Sequence, residues 1–208
     1  VATLTDRRLR ADAARNAERI VAAARKVYAE GGPDASTEAI AASAGVAERT
    51  LYRRFPTKTD LLRAALDSVA EDLTPAIEKA RKNKDPVRGI ADLLEAAISL
   101  AAQEHNILAA ARRLGPLTND FPAHLYETLC DLTRRAQRAG LISADIVAED
   151  LPRIIAMLHS VLPTMDTTGD GWRRYVTFIL NAMTTAKPSK LPPATPISYT
   201  RRPDTWPS

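Results

Sequence analysis

Between Thr37 and Lys58 the chain reads TEAIAASAGVAERTLYRRFPTK, and no other stretch restricts its fold as tightly. Gly45 separates a run ending Ala41, Ala42, Ser43, Ala44 from one opening at Val46 and Ala47. A glycine here can adopt the left-handed conformation that stops one helix and lets the next leave at a steep angle. The small alanines let the two helices approach closely. Ile40, Val46, Leu51 and Phe55 fall together as an apolar underside, while Thr37, Glu48, Arg49, Thr50, Tyr52, Arg53 and Arg54 fall on or beside the outward face. Few of those outward residues would help a core. Thr57, with Asp60 three residues on, signals the cap of a further helix opening at Lys58, whose apolar face is Leu61, Leu62, Ala65, Leu66 and Val69. The pattern is a helix-turn-helix.

The stretch resembles the DNA-binding domain of the tetracycline-repressor (TetR) family. The matching segments are IVAAARKVYAEGG from Ile20, AIAASAGV, TLYRRFPTK, and Leu61 with Leu62, within residues 15–66. Farther on, RAGLISADIVAEDLPRIIAML and WRRYVTFIL look like the penultimate and last helices of many members. The resemblance implies that Thr37 starts the second helix and touches phosphate, that Thr50 and Tyr52 contact backbone and base edges, and that Lys58 binds phosphate. Arg54 stands where the family often has His. Two departures matter. Ala47 replaces the usual Ser or Thr cap, a loss of about 1 kcal/mol, and Arg49 stands where Gly or Pro is common, adding a long cation at the groove. By the chemistry of base edges, Glu48 can accept from a cytosine amino group and Arg49 can read guanine, each worth about 1 to 3 kcal/mol of discrimination. With Arg53 these residues complete the candidate DNA-contacting set.

Charge is distributed in keeping with this. The net charge is only +4, but residues 1–60 carry 11 Lys or Arg against 8 Asp or Glu, residues 61–186 carry 14 against 16, and the tail carries 4 against 1. Basic ends around an acidic middle fit a polyanion at the ends and another task between them. Cys130 is the chain's one cysteine, so no intramolecular disulfide forms, which fits a reducing compartment. It lies between Leu129 and Leu132 and reads as a core residue. No stretch approaches the roughly 18 uninterrupted apolar residues of a membrane span, and the N-terminus lacks a signal peptide's apolar core. The chain is expected to be cytoplasmic.

Nearly every other segment has helical periodicity, so the fold class is all-α: an N-terminal three-helix DNA-binding domain with the helix-turn-helix, followed by a larger helical ligand-binding and dimerisation domain. The expected boundaries are 1–57, 58–186 and a Pro-rich extended tail at 187–208. The first helix should begin between Thr5 and Asp12, bury Ile20, Ala24, Val27 and Tyr28, and end at Gly31-Gly32. Arg7, Arg8 and Arg10 precede its amphipathic part, as solvated charge or as an arm for the minor groove. Pro75 predicts a kink or break near Leu73, as a hinge or a plain interruption. Asp85-Pro86 predicts a helix start, followed by Val87, Ile90, Leu93, Leu94, Ala97, Ile98 and Ala101 at helical spacing. Further helices are expected over Asn106 to Leu114, Asp120 to Ala139 with a stop at Gly140, Ala148 to Met165, and Gly171 to Ala186.

Apolar residues on both sides of the last two helices exceed what one chain's face would bury, which predicts a homodimeric four-helix bundle using Ile154, Ile155, Leu158, Leu162, Tyr175, Phe178 and Ile179. Two identical heads would then meet an inverted-repeat operator in double-stranded DNA. Polar or soft residues interrupting apolar faces are the candidates for a small-molecule effector site: His105, Arg112, His124, Tyr126, Cys130, Met157 and His159. No cofactor or metal is expected. The chain has no phosphate-binding Gly loop, nucleophile elbow or paired Glu-x-x-His helices. His124 with Glu127 supplies only two ligands, and the Asp166 to Gly171 segment lacks a calcium loop's carboxylates. These absences point away from an enzyme. The reading is therefore a ligand-responsive transcriptional regulator, a repressor released by its effector, with a helical protein-binding adaptor as the alternative. Salt dependence of DNA binding separates the two.

Overall fold

The computed structural model describes residues 4–114, 123–165 and 169–184, with the side chains of 4–11 outside the description. Among the described residues there is helix and no strand. In order, the helices are α1 (Leu4–Gly31), α2 (Thr37–Ala44), α3 (Glu48–Arg54), α4 (Lys58–Glu71), α5 (Thr74–Arg81), α6 (Pro86–Gln103), α7 (His105–Leu114), α8 (Ala123–Arg138), α9 (Asp150–Val161) and α10 (Arg173–Met183). They divide into two compact units. One holds α1 to α3, α4 through Val69, and α7; the other holds α5, α6, α8, α9 and α10.

The first unit is built on α1. Ile20, Ala24 and Tyr28 are fully buried along it, and Ile40, Leu51, Phe55, Leu61, Leu62 and Ala65 complete the core. Val27, Val46 and Leu66, expected on apolar faces, are only half-buried. The helix starts at Leu4, so the backbone of Arg7, Arg8 and Arg10 is helical and does not form an extended arm. It ends in a 3-10 turn, Gly32–Asp34, with Gly32 at φ +52°.

Although 77 to 79 residues away in sequence, α7 is fastened to this unit by three polar contacts. Asn106 donates to the Ala29 carbonyl at 2.6 Å, Arg113 pairs with Asp34 at 2.9 Å, and Arg25 pairs with Glu104, just before α7, at 2.7 Å. Ile107, Ala110 and Ala111 are its buried face.

In the second unit the start signal at Asp85-Pro86 holds. The Asp85 carboxylate accepts from the amides of Val87 and Arg88 at 3.0 and 3.1 Å. Of the apolar series on α6, Ile90, Leu93, Leu94, Ala97, Ile98 and Ala101 are buried and Val87 is half-buried. Gly89 lets α8 come close, since a Cβ there would stand 2.8 Å from Leu132 and 3.2 Å from the Ala80 carbonyl. Arg135, near the end of α8, donates to the carbonyls of Arg81 and Asn83 and so caps α5. Pro75 produces a clean interruption, with α4 ending at Glu71 and α5 starting at Thr74 with the proline in its first turn. Gly140 closes α8 at φ +66°.

The last two helices are shorter than their apolar patterns suggest. Two residues later than the expected Ala148, α9 opens at Asp150, with Glu149 before it making no side-chain cap bond, while the Asp150 carboxylate accepts from the Val147 amide at 2.9 Å. It ends at Val161 because Pro163, lacking an N–H, turns Leu162–Thr164 into a 3-10 turn. For α10 the start is Arg173. The expected start of α8 near Asp120, the Asp166 to Thr168 segment and the tail 187–208 lie outside the described residues.

Candidate nucleic-acid interface

The turn is held by a pair of backbone bonds that only a left-handed residue permits. Gly45, at φ 65° and ψ 38°, donates to the Ala42 carbonyl at 3.1 Å, and Val46 donates to Ala41 at 3.0 Å. Arg19 of α1 adds a third support, its Nη2 donating to the Ala44 carbonyl at 2.6 Å. At the other end of α2 the Ser36 hydroxyl accepts from the Ala39 amide at 3.1 Å. Sequence reasoning took Thr37 as the start and passed over Ser36 as the cap, although a Ser directly before a helical run is the ordinary signal. Both helices are short, eight and seven residues, too short to persist alone. Burial of Ile40, Leu51 and Phe55 keeps them in place.

With Leu51 and Phe55 inward, α3 turns Glu48, Arg49, Tyr52, Arg53 and Arg54 to solvent, with Thr50 half-buried beside them. Tyr52 retains 42% of its surface, unusual for an aromatic in a small helical core. Ala47, as anticipated, gives α3 no side-chain cap. Arg53 and Arg54 occupy the last turn, where the helix dipole favours cations. Lys58 is the first residue of α4 and half-buried. Arg49, Arg53 and Lys58 enter no ion pair among the described residues, so their charge is available to an external anion. The capping box forms in full: the Thr57 hydroxyl accepts from the Asp60 amide at 3.0 Å, and the Asp60 carboxylate accepts from the Thr57 amide at 3.1 Å. This box sets the start of α4 at Lys58.

One arrangement was not legible in the sequence. The Thr37 hydroxyl lies 3.0 Å from the Tyr52 phenol and 3.4 Å from the Glu48 carboxylate, joining the start of α2 to the outward face of α3.

The remaining candidates scatter. His105 and Arg112 sit exposed on α7 in the first unit; His124, Tyr126, Cys130, Met157 and His159 belong to the second. His124 and Met157 are exposed there, while Tyr126, Cys130 and His159 are half-buried. Tyr126 and Cys130, one turn apart on α8, do interact. Burial first, then the Cys130 and Glu149 charges, pushes the Tyr126 phenol up to about 12. Burial also pushes the Cys130 thiol up, against the hydrogen bond from Tyr126, so Cys130 is neither fully core nor activated. Of the candidate seam residues, Ile155, Leu158 and Leu162 are buried within the chain's own unit. Ile154 and Ile179 are half-buried, and Tyr175 and Phe178 are exposed at 40% and 70%. Among the described residues no helix is long and apolar enough to cross a membrane, and no group of three His, Cys, Asp or Glu could hold a metal.

Comparison with known proteins agrees with this geometry. Residues 20–65 match the profile of a family described as bacterial regulatory proteins, tetR family. The fold is similar to that of a TetR transcriptional regulator from Streptomyces coelicolor, at 26% identity over 82% of this chain and 99% of that one, with a TM-score of 0.57. A TetR-family regulator from Pectobacterium atrosepticum is similar over 86% of this chain and 99% of its own, at 22% identity and a TM-score of 0.68. FadR from Bacillus subtilis, solved in complex with stearoyl-CoA, is similar over 82% and 98%, at 20% identity and a TM-score of 0.62. No curated protein matches the chain.

Proposed function

From the match of residues 20–65 to the tetR-family regulatory proteins, we propose that the chain is a transcriptional regulator, a homodimeric repressor that occupies an inverted-repeat operator and is released by a small-molecule effector. The observation that supports DNA reading most directly is the division of α3, with Leu51 buried on one side and Arg49, Tyr52, Arg53 and Arg54 exposed on the other. In this reading Arg53, Arg54 and Lys58 grip phosphates while Glu48, Arg49, Thr50 and Tyr52 meet base edges.

A single seven-residue reading helix covers few base pairs, so useful affinity requires two heads. A two-fold pair would address half-sites about 34–36 Å apart, or a multiple of that. The seam that supports pairing is the outward side of α9 and α10: Met157 at 59% exposed, Tyr175 at 40% and Phe178 at 70%, flanked by Ile154 and Ile179. Ile155, Leu158 and Leu162 would then anchor α9 to its own chain. A small-molecule effector is in keeping with the neighbour solved with stearoyl-CoA. The candidate contacts in the second unit are Tyr126, Cys130 and His159. Release requires the effector to favour the non-binding state by about 1 to 3 kcal/mol.

Selection of bound duplexes from a random library tests this reading. The expected outcome is an inverted repeat whose affinity falls steeply with salt, and Lys58→Ala lowers the log-log slope by about one. Absence of any preferred duplex would overturn the reading in favour of a protein-binding adaptor.

A further inference from the structure

The contacts of Thr37 point to a role other than phosphate binding. Its hydroxyl lies 3.4 Å from Glu48 Oε1 and 3.0 Å from the Tyr52 phenolic oxygen. The proton directions follow from chemistry. An ionised carboxylate only accepts, so Thr37 spends its one proton on Glu48; Tyr52 must then donate to Thr37. The result is a chain Tyr52 to Thr37 to Glu48, across two helices that are 11 and 15 residues apart in sequence at the points joined.

Both hydroxyl protons are therefore committed inward. What Glu48 and Tyr52 offer outward, one turn apart on α3, is oxygen lone pairs alone. Such a surface repels phosphate and suits a hydrogen-bond donor. In the major groove the donors on base edges are the amino groups of cytosine N4 and adenine N6. The cations lie elsewhere on the same face, at Arg49, Arg53 and Arg54.

We propose that Thr37 is a positioning residue that, through Tyr52 and Glu48, makes the leading edge of α3 an acceptor-only surface selecting, at the contacted position, a base whose major-groove edge carries an amino group, cytosine or adenine, over guanine or thymine. This rests on the DNA-reading function proposed above. Thr37 thereby acts on which base is chosen, and not on how strongly the backbone is held.

The test is library selection and titration at several salt concentrations with the full-length wild type, Thr37→Val, Thr37→Ser and Glu48→Gln, each checked for helical content by circular dichroism. In the wild type, one half-site position should be fixed as cytosine or adenine with at least about tenfold discrimination. Glu48→Gln, which can donate as well as accept, should relax that position alone. Thr37→Val should relax the same position several-fold with an unchanged salt slope, and Thr37→Ser should restore it. If Thr37→Val instead lowers the salt slope by about one and leaves base preference intact, Thr37 holds a phosphate and the proposal fails while DNA reading stands. If Thr37→Val unfolds the head, Glu48→Gln and Thr37→Ser decide: base preference unchanged in Glu48→Gln refutes it. A wild type with no preferred sequence overturns both.

Discussion

Replacing Gly45 by Ala separates two effects that meet at the turn of the helix-turn-helix. At φ 65° and ψ 38° an L side chain costs about 1–2 kcal/mol relative to a right-handed conformation. A Cβ would also approach Arg19 Nη2 at 3.2 Å. That atom is the far end of a flexible side chain, so it can move a few tenths of an ångström and only weaken its 2.6 Å bond to the Ala44 carbonyl. This second effect is worth about 0.5 kcal/mol, well short of the roughly 1.5–3 kcal/mol of a whole charge-assisted bond. Against both, alanine restricts the unfolded chain and returns about 0.4–1 kcal/mol. The net loss should be about 1.5 kcal/mol, or about 3–6 °C in Tm for a chain of this size. Gly45→Asn should lose less, since Asn tolerates the left-handed region. Differential scanning calorimetry of Gly45→Ala, Arg19→Ala and the double variant gives the coupling. Backbone conformation is the main cause if the two losses nearly add. A coupling that accounts for most of the Gly45→Ala loss would refute this reasoning and make the Arg19 clash responsible, as would a Gly45→Asn variant no better than Gly45→Ala.

Four further outcomes follow from buried or exposed groups. Tyr28 is fully buried and its hydroxyl finds no partner among the described residues, so Tyr28→Phe should raise Tm by a few degrees, since an unsatisfied hydroxyl costs about 1–3 kcal/mol. Burial lifts the Tyr28 phenol from 10.0 to about 12, so the unfolded chain loses that proton first; wild-type stability should fall between pH 10 and 12 by more than that of Tyr28→Phe, as alkaline denaturation can measure. Glu104→Ala leaves Arg25, 24% exposed, without its 2.7 Å partner, and should cost about 1–2 kcal/mol, less in a double-mutant cycle with Arg25→Ala, by urea denaturation. Phe178→Glu places a charge on a side chain 70% exposed in the single chain, so sedimentation should show dissociation to monomer with helical content unchanged.

Much of the fold was legible because its signals are local. The Gly45 turn, the Thr57–Asp60 box, the Asp85 cap and the Pro75 interruption each depend on residues within about four positions of one another, where backbone sterics and short side-chain bonds decide the outcome. The outward set on α3 was legible for the same reason, since one buried Leu51 orients the whole short helix. Periodicity was less informative on α9 and α10, where both faces are apolar. It marked Ile154, Ile155, Leu158, Leu162, Tyr175, Phe178 and Ile179 alike, and only packing divides Ile155 at 1% exposed from Phe178 at 70%.

From its residues alone the chain is an all-helical molecule with a basic glycine-turned reading element near its start, because helix periods, caps and turn chemistry act over a few residues. Folding in three dimensions decided the attachment of α7 to the first unit, through partners 77 and 79 residues apart, and the Thr37 bridge between Tyr52 and Glu48. Such contacts repay the entropy of closing a long loop only when many distant surfaces fit at once, and no short stretch of sequence records that fit.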